Sequence, residues 1–290
     1  MNVRWTATRD YRLVARLHRQ WNPTLYETLY RYDGLRYSDF HRPEVRCWIT
    51  RGHTRTQGYA VAVRRRDELV FEELWAETTG VPSPRLSLPL PDRNLLDTTK
   101  DMIERAGSRH PHVTVRFPSD NPLGNLLARS FHWPLVSTLL LSTGEPRMLP
   151  KSRLGPGLSV RPYRAGDETD YARIHQACFG EKMNPASYRS WIVGKHCHAF
   201  TAMVDGRTVG LIVSEPRRGG ITGDFNLAVE EEARNLGLGT ALMTEGIRAF
   251  HRRGIPRVVI DHWATNGRAV QFYKRFGFRV ERAYHFFRVR

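Results

Sequence analysis

Cysteine is scarce in this chain. Three residues, Cys47, Cys178 and Cys197, are too few and too scattered for a disulfide framework or a four-ligand zinc site. His196 and His198 flank Cys197, but neighbours on a strand point to opposite faces, so the three do not converge on one ion. Long apolar runs are missing as well. Nothing reaches the roughly eighteen residues of a membrane span, and the opening Met1-Asn-Val-Arg-Trp lacks the apolar stretch of a signal peptide. The expectation is a soluble, cytoplasmic protein with neither a metal nor a membrane partner.

Lysine is nearly absent, because arginine supplies 40 of the 45 basic residues. The net charge of +16 would ordinarily suggest nucleic acid as a partner. The arginine skew, however, is what genome base composition produces without selection for phosphate binding. The charge is also shared between halves. Residues 1–150 carry 22 Lys/Arg against 16 Asp/Glu, and residues 151–290 carry 23 against 13. No basic tail or RNA-binding aromatic pattern stands out, and Arg64, Arg65 and Arg66 read as the solvated end of a strand. A nucleic-acid partner is not expected.

At 290 residues with 40% hydrophobic content, the chain can form two domains of ordinary size. It also repeats itself. Val3, Arg4, Asp10, Ala15, Arg16, Leu17 and His18 align without gaps with Val160, Arg161, Asp167, Ala172, Arg173, Ile174 and His175. Asn121 through Phe131 aligns with Asn266 through Phe276, and Gly58-Tyr-Ala-Val with Gly210-Leu-Ile-Val. The offset drifts, so these are two copies of one domain separated by insertions and deletions, not a solenoid. The expected layout is a first domain over 1–143, a Pro/Gly-rich linker over 144–157 and a second domain over 158–290.

Each copy reads as mixed α/β. In the second, 158–163 is a strand and Asp167 is placed to cap a helix running through Cys178. Strands over 198–204, 208–215 and 222–229 are broken by Asp-Gly and Arg-Gly-Gly turns. Leu238, Leu242, Ile247 and Phe250 recur at helical spacing. A β-branched strand over 257–262 follows, then a helix over 267–275 ended by Gly277, then a strand over 278–288.

The most informative stretch runs from Asn226 to Thr240. A strand ends in Leu227-Ala228-Val229, a short loop follows, and a helix begins near Gly237. The first turn of a helix leaves backbone N–H groups unpaired and partly positive, which suits a pyrophosphate. Gly237 and Gly239 let phosphates approach the backbone, and Arg234 adds a charged donor. A glycine loop that merely turns the chain would look the same on these residues alone. The loop, however, resembles the Q/R-x-x-G-x-G/A signature of the GNAT superfamily of acyl-CoA N-acyltransferases, with Arg234, Gly237 and Gly239 at its fixed positions. Further on, Asn266, Ala269, Tyr273, Gly277 and Phe278 match a second family pattern, N-x-x-A-x-x-x-Y-x-x-x-G-F.

The resemblance implies two tandem GNAT-like domains, and acetyl-CoA as co-substrate with no metal. It also implies transfer of an acetyl group to a primary amine of a small molecule by direct attack. The cofactor-binding residues it implies are Leu227, Ala228, Val229, Arg234, Asn235, Leu236, Gly237, Leu238, Gly239, Thr240, Asn266, Phe272 and Tyr273. Tyr273 corresponds to the tyrosine that protonates the departing thiolate, and a phenol of pKa about 10 is a suitable donor. Asp261 is the first candidate for the base that takes the amine proton, and Asp224 the second. His262 falls on the opposite face of the strand from Asp261 and is assigned no chemistry. Glu230, Glu231 and Glu232 read as a solvated loop. Phe179, Met183 and Tyr188 either line an acceptor pocket or belong to the core. A protein or peptide acceptor and a non-catalytic CoA-binding module are the alternatives, and a homodimer is an assembly the family allows.

The first copy looks disarmed. Pro89, Asp92 and Asn94 stand where the second has Arg234, Gly237 and Gly239. Pro89 and Pro91 remove two N–H donors, and Asp92 brings negative charge to the phosphate position. Ala128 stands at the tyrosine position and His132 at the Gly277 position, and only Asn121 survives. Its expected role is scaffolding. A degenerate first copy beside an active second one resembles tandem members of the superfamily.

Overall fold

The computed structural model describes residues 4–10, 12–14, 16–17, 44–51, 56–65, 67–76, 93–146, 149–180, 182–194, 196–216 and 222–290. They form two compact units. The first comprises residues up to Leu140 with Trp263–Thr265 and Arg282–Arg290; the second comprises Leu141–His262 and Asn266–Glu281. Pro89, Pro91 and Asp92 lie outside the described residues.

In the first unit, β1 (Arg4–Thr8), β2 (Val45–Arg51), β3 (Thr56–Arg65) and β4 (Glu68–Ala76) pair antiparallel in chain order. Helix α1 (Arg93–Gly107) crosses to β5 (His112–Pro118), which lies parallel to β4 from Glu68↔His112 to Phe71↔Val115. Helix α2 (Pro122–Ser130) and strand β6 (Leu135–Gly144) follow. In α1, Leu95, Leu96, Met102 and Ile103 recur at helical spacing and enter a core with Phe71, Phe117, Leu123 and Leu127. The indole of Trp5 on β1 reaches α1 and donates to Thr99 Oγ1 at 2.9 Å.

The second unit repeats the order. Strand β7 (Leu158–Pro162) leads to helices α3 (Glu168–Phe179) and α4 (Pro185–Gly194). The meander β8 (His198–Val204), β9 (Arg207–Pro216), β10 (Thr222–Val229) comes next, then α5 (Leu238–Arg252), β11 (Arg257–Trp263), α6 (Gly267–Arg275) and the start of β12 (Arg279–Arg288), which from Arg282 onward belongs to the first unit. Strands β7 to β10 pair antiparallel, and β11 lies parallel to β10. Asp205 and Gly206 both take positive φ, 47° and 83°, as a two-residue hairpin turn between β8 and β9 requires. One sheet face buries Phe225, Ile212, Val258 and Ile260 under α5 and α6. The other buries Leu211, Val213 and Ala228 under α3 and α4. This is the mixed α/β fold expected for each copy.

Two local expectations need correction. Asp167 does not cap α3 with its side chain. Its carboxylate instead accepts from Arg161 through two bonds of 2.8 Å, from the Arg164 N–H at 2.8 Å and from Thr201 Oγ1 at 3.0 Å. A bidentate guanidinium outcompetes one neutral N–H. Glu230 is not solvated: it is buried between Arg173 of α3 and Arg207 of β9, while Glu231 and Glu232 are exposed.

Candidate functional site

The cleft of the second unit arises from a defect in strand pairing. The β10–β11 register ends at Asp224↔Val259, whereas β10 stays paired with β9 as far as Val229↔Gly210. Beyond Asp224 one edge of β10 is therefore open. Glu230 N donates to Val209 O at 2.9 Å toward β9. By alternation, the N–H and C=O groups of Leu227 and Val229 face the open edge. Val229 O accepts there from Arg234 Nε at 3.2 Å, and Cys178 Sγ lies 3.5 Å from it.

The chain then turns through a short 3₁₀ segment, Glu231–Ala233, and through Asn235 and Gly237 at φ 66° and 83°. Gly237 is the N-cap of α5 and supplies no capping side chain. Ala241 N is the first to bond along the helix, to Gly237 O at 3.0 Å. The N–H groups of Leu238, Gly239 and Thr240 therefore remain for a ligand. Helix α6 contrasts with it. Asn266 Oδ1 accepts from Ala269 N at 3.1 Å, so one of its N-terminal donors is already satisfied.

Between these elements lies a cleft of about 740 Å³. It brings together Leu227, Ala228, Val229, Arg234, Asn235, Gly237, Gly239, Thr240, Asn266, Phe272 and Tyr273 from the sequence-predicted set. Leu236 is 42% exposed outside the lining, and Leu238 is 1% exposed within the core beneath it. The cleft is also lined by Cys178, Phe179, Arg268, Gln271 and Arg275, which the motifs do not mark. The signal that could have flagged the two arginines is their own i, i+7 spacing, which puts both on one face of α6.

Tyr273 lines the cleft with its ring in the core, against Phe272, Phe278 and His262. Its hydroxyl makes no hydrogen bond among the described residues. Burial pushes the phenol well above its usual range, and the charges of Asp261 and then Asp224 push the same way. The group is thus held neutral, as a proton donor must be. Asp261 is half-buried and Asp224 buried; both act on Tyr273 through the field, and neither lines the cleft. His262 takes the face opposite Asp261, and its Nε2 lies 3.1 Å from Ser142 Oγ. Phe179 lines the cleft at 47% exposure, whereas Tyr188 is fully buried with its hydroxyl 2.6 Å from His175 Nδ1.

Residues 168–278 match the acetyltransferase (GNAT) family. A mycothiol acetyltransferase of Streptomyces coelicolor is 28% identical over 143 residues, 45% of each chain. One from Thermomonospora curvata is 26% identical over 45% of this chain and 47% of its own. The match thus spans about half the length of these relatives. N-alpha-acetyltransferase 30 of Schizosaccharomyces pombe is 24% identical over 45% of this chain and 90% of its own. Among solved structures, a GCN5-related N-acetyltransferase from Sphaerobacter thermophilus superposes with a TM-score of 0.71 at 18% identity, covering 99% of this chain and 95% of that one. A tandem GNAT protein from the clavulanic acid biosynthesis pathway gives 0.64 at 11% identity, covering 99% and 98%. The GNAT fold therefore extends over both halves of the chain. Among the described residues, no group of His, Cys, Asp or Glu could hold a metal ion, and no helix is long and apolar enough to cross a membrane.

Proposed function

We propose that the second unit transfers an acetyl group from acetyl-CoA to a primary amine of a small molecule by direct attack, acting in the cytoplasm with the first unit as scaffold. The observation that carries this reading is one cleft joining an uncapped helix N-terminus to an unengaged, neutral tyrosine hydroxyl. The residues present fit acyl-CoA. Backbone donors at Leu238, Gly239 and Thr240 suit a pyrophosphate, and the open edge of β10 suits an amide-bearing arm.

Acetyl-CoA supplies an activated acyl group with a thiolate leaving group. The α5 N–H groups and Arg234 bind its phosphates, and Leu227 and Val229 orient the arm through their free edge. The N–H of Val229 or its neighbour polarises the acyl carbonyl. Tyr273 delivers the proton to the sulfur. Asp261 takes the amine proton, directly or through a water, with Asp224 as the second candidate.

A small-molecule acceptor is favoured by the two mycothiol acetyltransferase relatives. The likeness to N-alpha-acetyltransferase 30, which spans most of that protein, keeps a peptide N-terminus as the second reading. CoA release measured with acetyl-CoA and parallel panels of small amines, amino thiol sugars and peptides separates them. Turnover on peptides alone would replace the first reading with the second. Acetyl-CoA binding without turnover on any panel would reduce the site to a binding module.

A further inference from the structure

The charge lining this cleft is one-sided. Arg234, Arg268 and Arg275 all contribute to it, and no carboxylate does. Arg234 is occupied at the loop, by Val229 O and, at 3.6 Å, by Glu231. The other two are not. Arg268 and Arg275 make no ion pair or hydrogen bond among the described residues, in contrast to Arg161, Arg207, Arg248 and Arg257 of the same unit.

Their placement is specific. The two lie seven residues apart on α6, two turns along one face and about 10 Å between backbone positions. Arg275 is held with its guanidinium 5.5 Å from the centre of the Phe272 ring. That ring in turn abuts the phosphate loop: a Cβ at Gly239 would meet Phe272 Cε2 at 3.7 Å. A cation stacked on an aromatic face loses little freedom when it meets an anion. Arg275 therefore stands one ring's width from the loop, preorganised and without a counter-charge.

Resting on the acyl-CoA reading, we propose that this face of α6 is a second anion subsite. Arg275 takes a phosphomonoester on the nucleotide end of the ligand, apart from the pyrophosphate at the α5 N-terminus, and Arg268 adds to the field. The subsite then selects CoA over 3′-dephospho-CoA.

Calorimetric titration of the whole chain with both ligands tests this. The wild type should bind CoA about tenfold or more tighter than dephospho-CoA, as one charge-assisted phosphate contact requires. Arg275→Gln should bring the ratio close to one while leaving dephospho-CoA affinity unchanged. Arg248→Gln removes the same charge from the exposed side of α5 and should leave the ratio intact. Equal affinities in the wild type would overturn the subsite and spare the acyl-CoA reading. So would an Arg275→Gln variant that weakens both ligands equally, or a ratio that falls equally in Arg248→Gln. Binding of neither ligand would overturn both.

Discussion

Helix α2 of the first unit and helix α6 of the second begin and end alike. Asn121 Oδ1 accepts from Gly124 N at 3.0 Å, and Asn266 Oδ1 accepts from Ala269 N at 3.1 Å. At the far ends, His132 and Gly277 both take positive φ, 53° and 83°. Trp133 N then bonds Ala128 O at 3.0 Å, as Phe278 N bonds Tyr273 O at 3.2 Å. What differs is the surroundings. Asn121 is 1% exposed and also donates through Nδ2 to Leu74 O at 2.8 Å, in the part of β4 beyond its pairing with β5. Asn266 is exposed and lines the cleft. In both units the asparagine caps a helix, and in the first it also satisfies a strand carbonyl beyond the β4–β5 pairing. Ala128 fills the place of Tyr273 as a buried core residue. The two helices thus share their caps and differ at the position of the tyrosine.

Four experiments would break or sharpen this contrast. The largest effect belongs to Tyr273→Phe. Removal of a positioned proton donor should lower kcat roughly a hundredfold while KM for acetyl-CoA stays within about twofold. Because burial raises the phenol, the wild-type rate should hold on the alkaline side past the ordinary tyrosine range of about 10. A mutant as fast as wild type would remove the acid role. Next is stoichiometry. Titration should give one acetyl-CoA per chain, and two sites would end the idea of a disarmed first copy.

The two caps should then differ in cost. Asn266→Ala should lose about 1 kcal/mol, the usual worth of an N-cap. Asn121→Ala should lose about 2–3 kcal/mol, because it also strands the carbonyl of Leu74. Denaturant melts of both variants measure this, and equal losses would mean the second bond of Asn121 is idle. The smallest effect is His132→Gly, which relieves a left-handed backbone at a non-glycine residue. It should stabilise by about 0.5 kcal/mol, seen as a slightly higher Tm.

Much of the site was legible because its motifs are local. Gly237 and Gly239 stand beside the helix they open, and Asn266 and Tyr273 are two turns apart on one helix. The strands of the second copy follow from alternation and from turn residues such as Asp205-Gly206. Long-range ionic choices were not legible. The charge run at Glu230 reads as solvated, yet Arg173, far back along the chain, folds α3 onto it. Asp167 looks like a cap until Arg161 offers two bonds at once. Breaking the Glu230 cluster should cost on the order of 2 kcal/mol, less than a fully buried pair, because both guanidiniums reach solvent. Nor does any local pattern in Tyr284–Arg288 reveal which strand they will join, since sheet partners are chosen by the whole fold.

That last pairing has a consequence for synthesis. Tyr284–Arg288 run antiparallel to Thr114–Pro118, and Phe287 stacks on Phe117 with ring centres 5.0 Å apart. Domains usually fold in the order in which they leave the ribosome. Here the first unit waits for residues made after the entire second unit has emerged. For all of that interval β5 offers an unclaimed edge, a period when chaperones or a neighbouring nascent chain can reach it. The second unit, complete by Glu281, needs none of those last residues to close its own core.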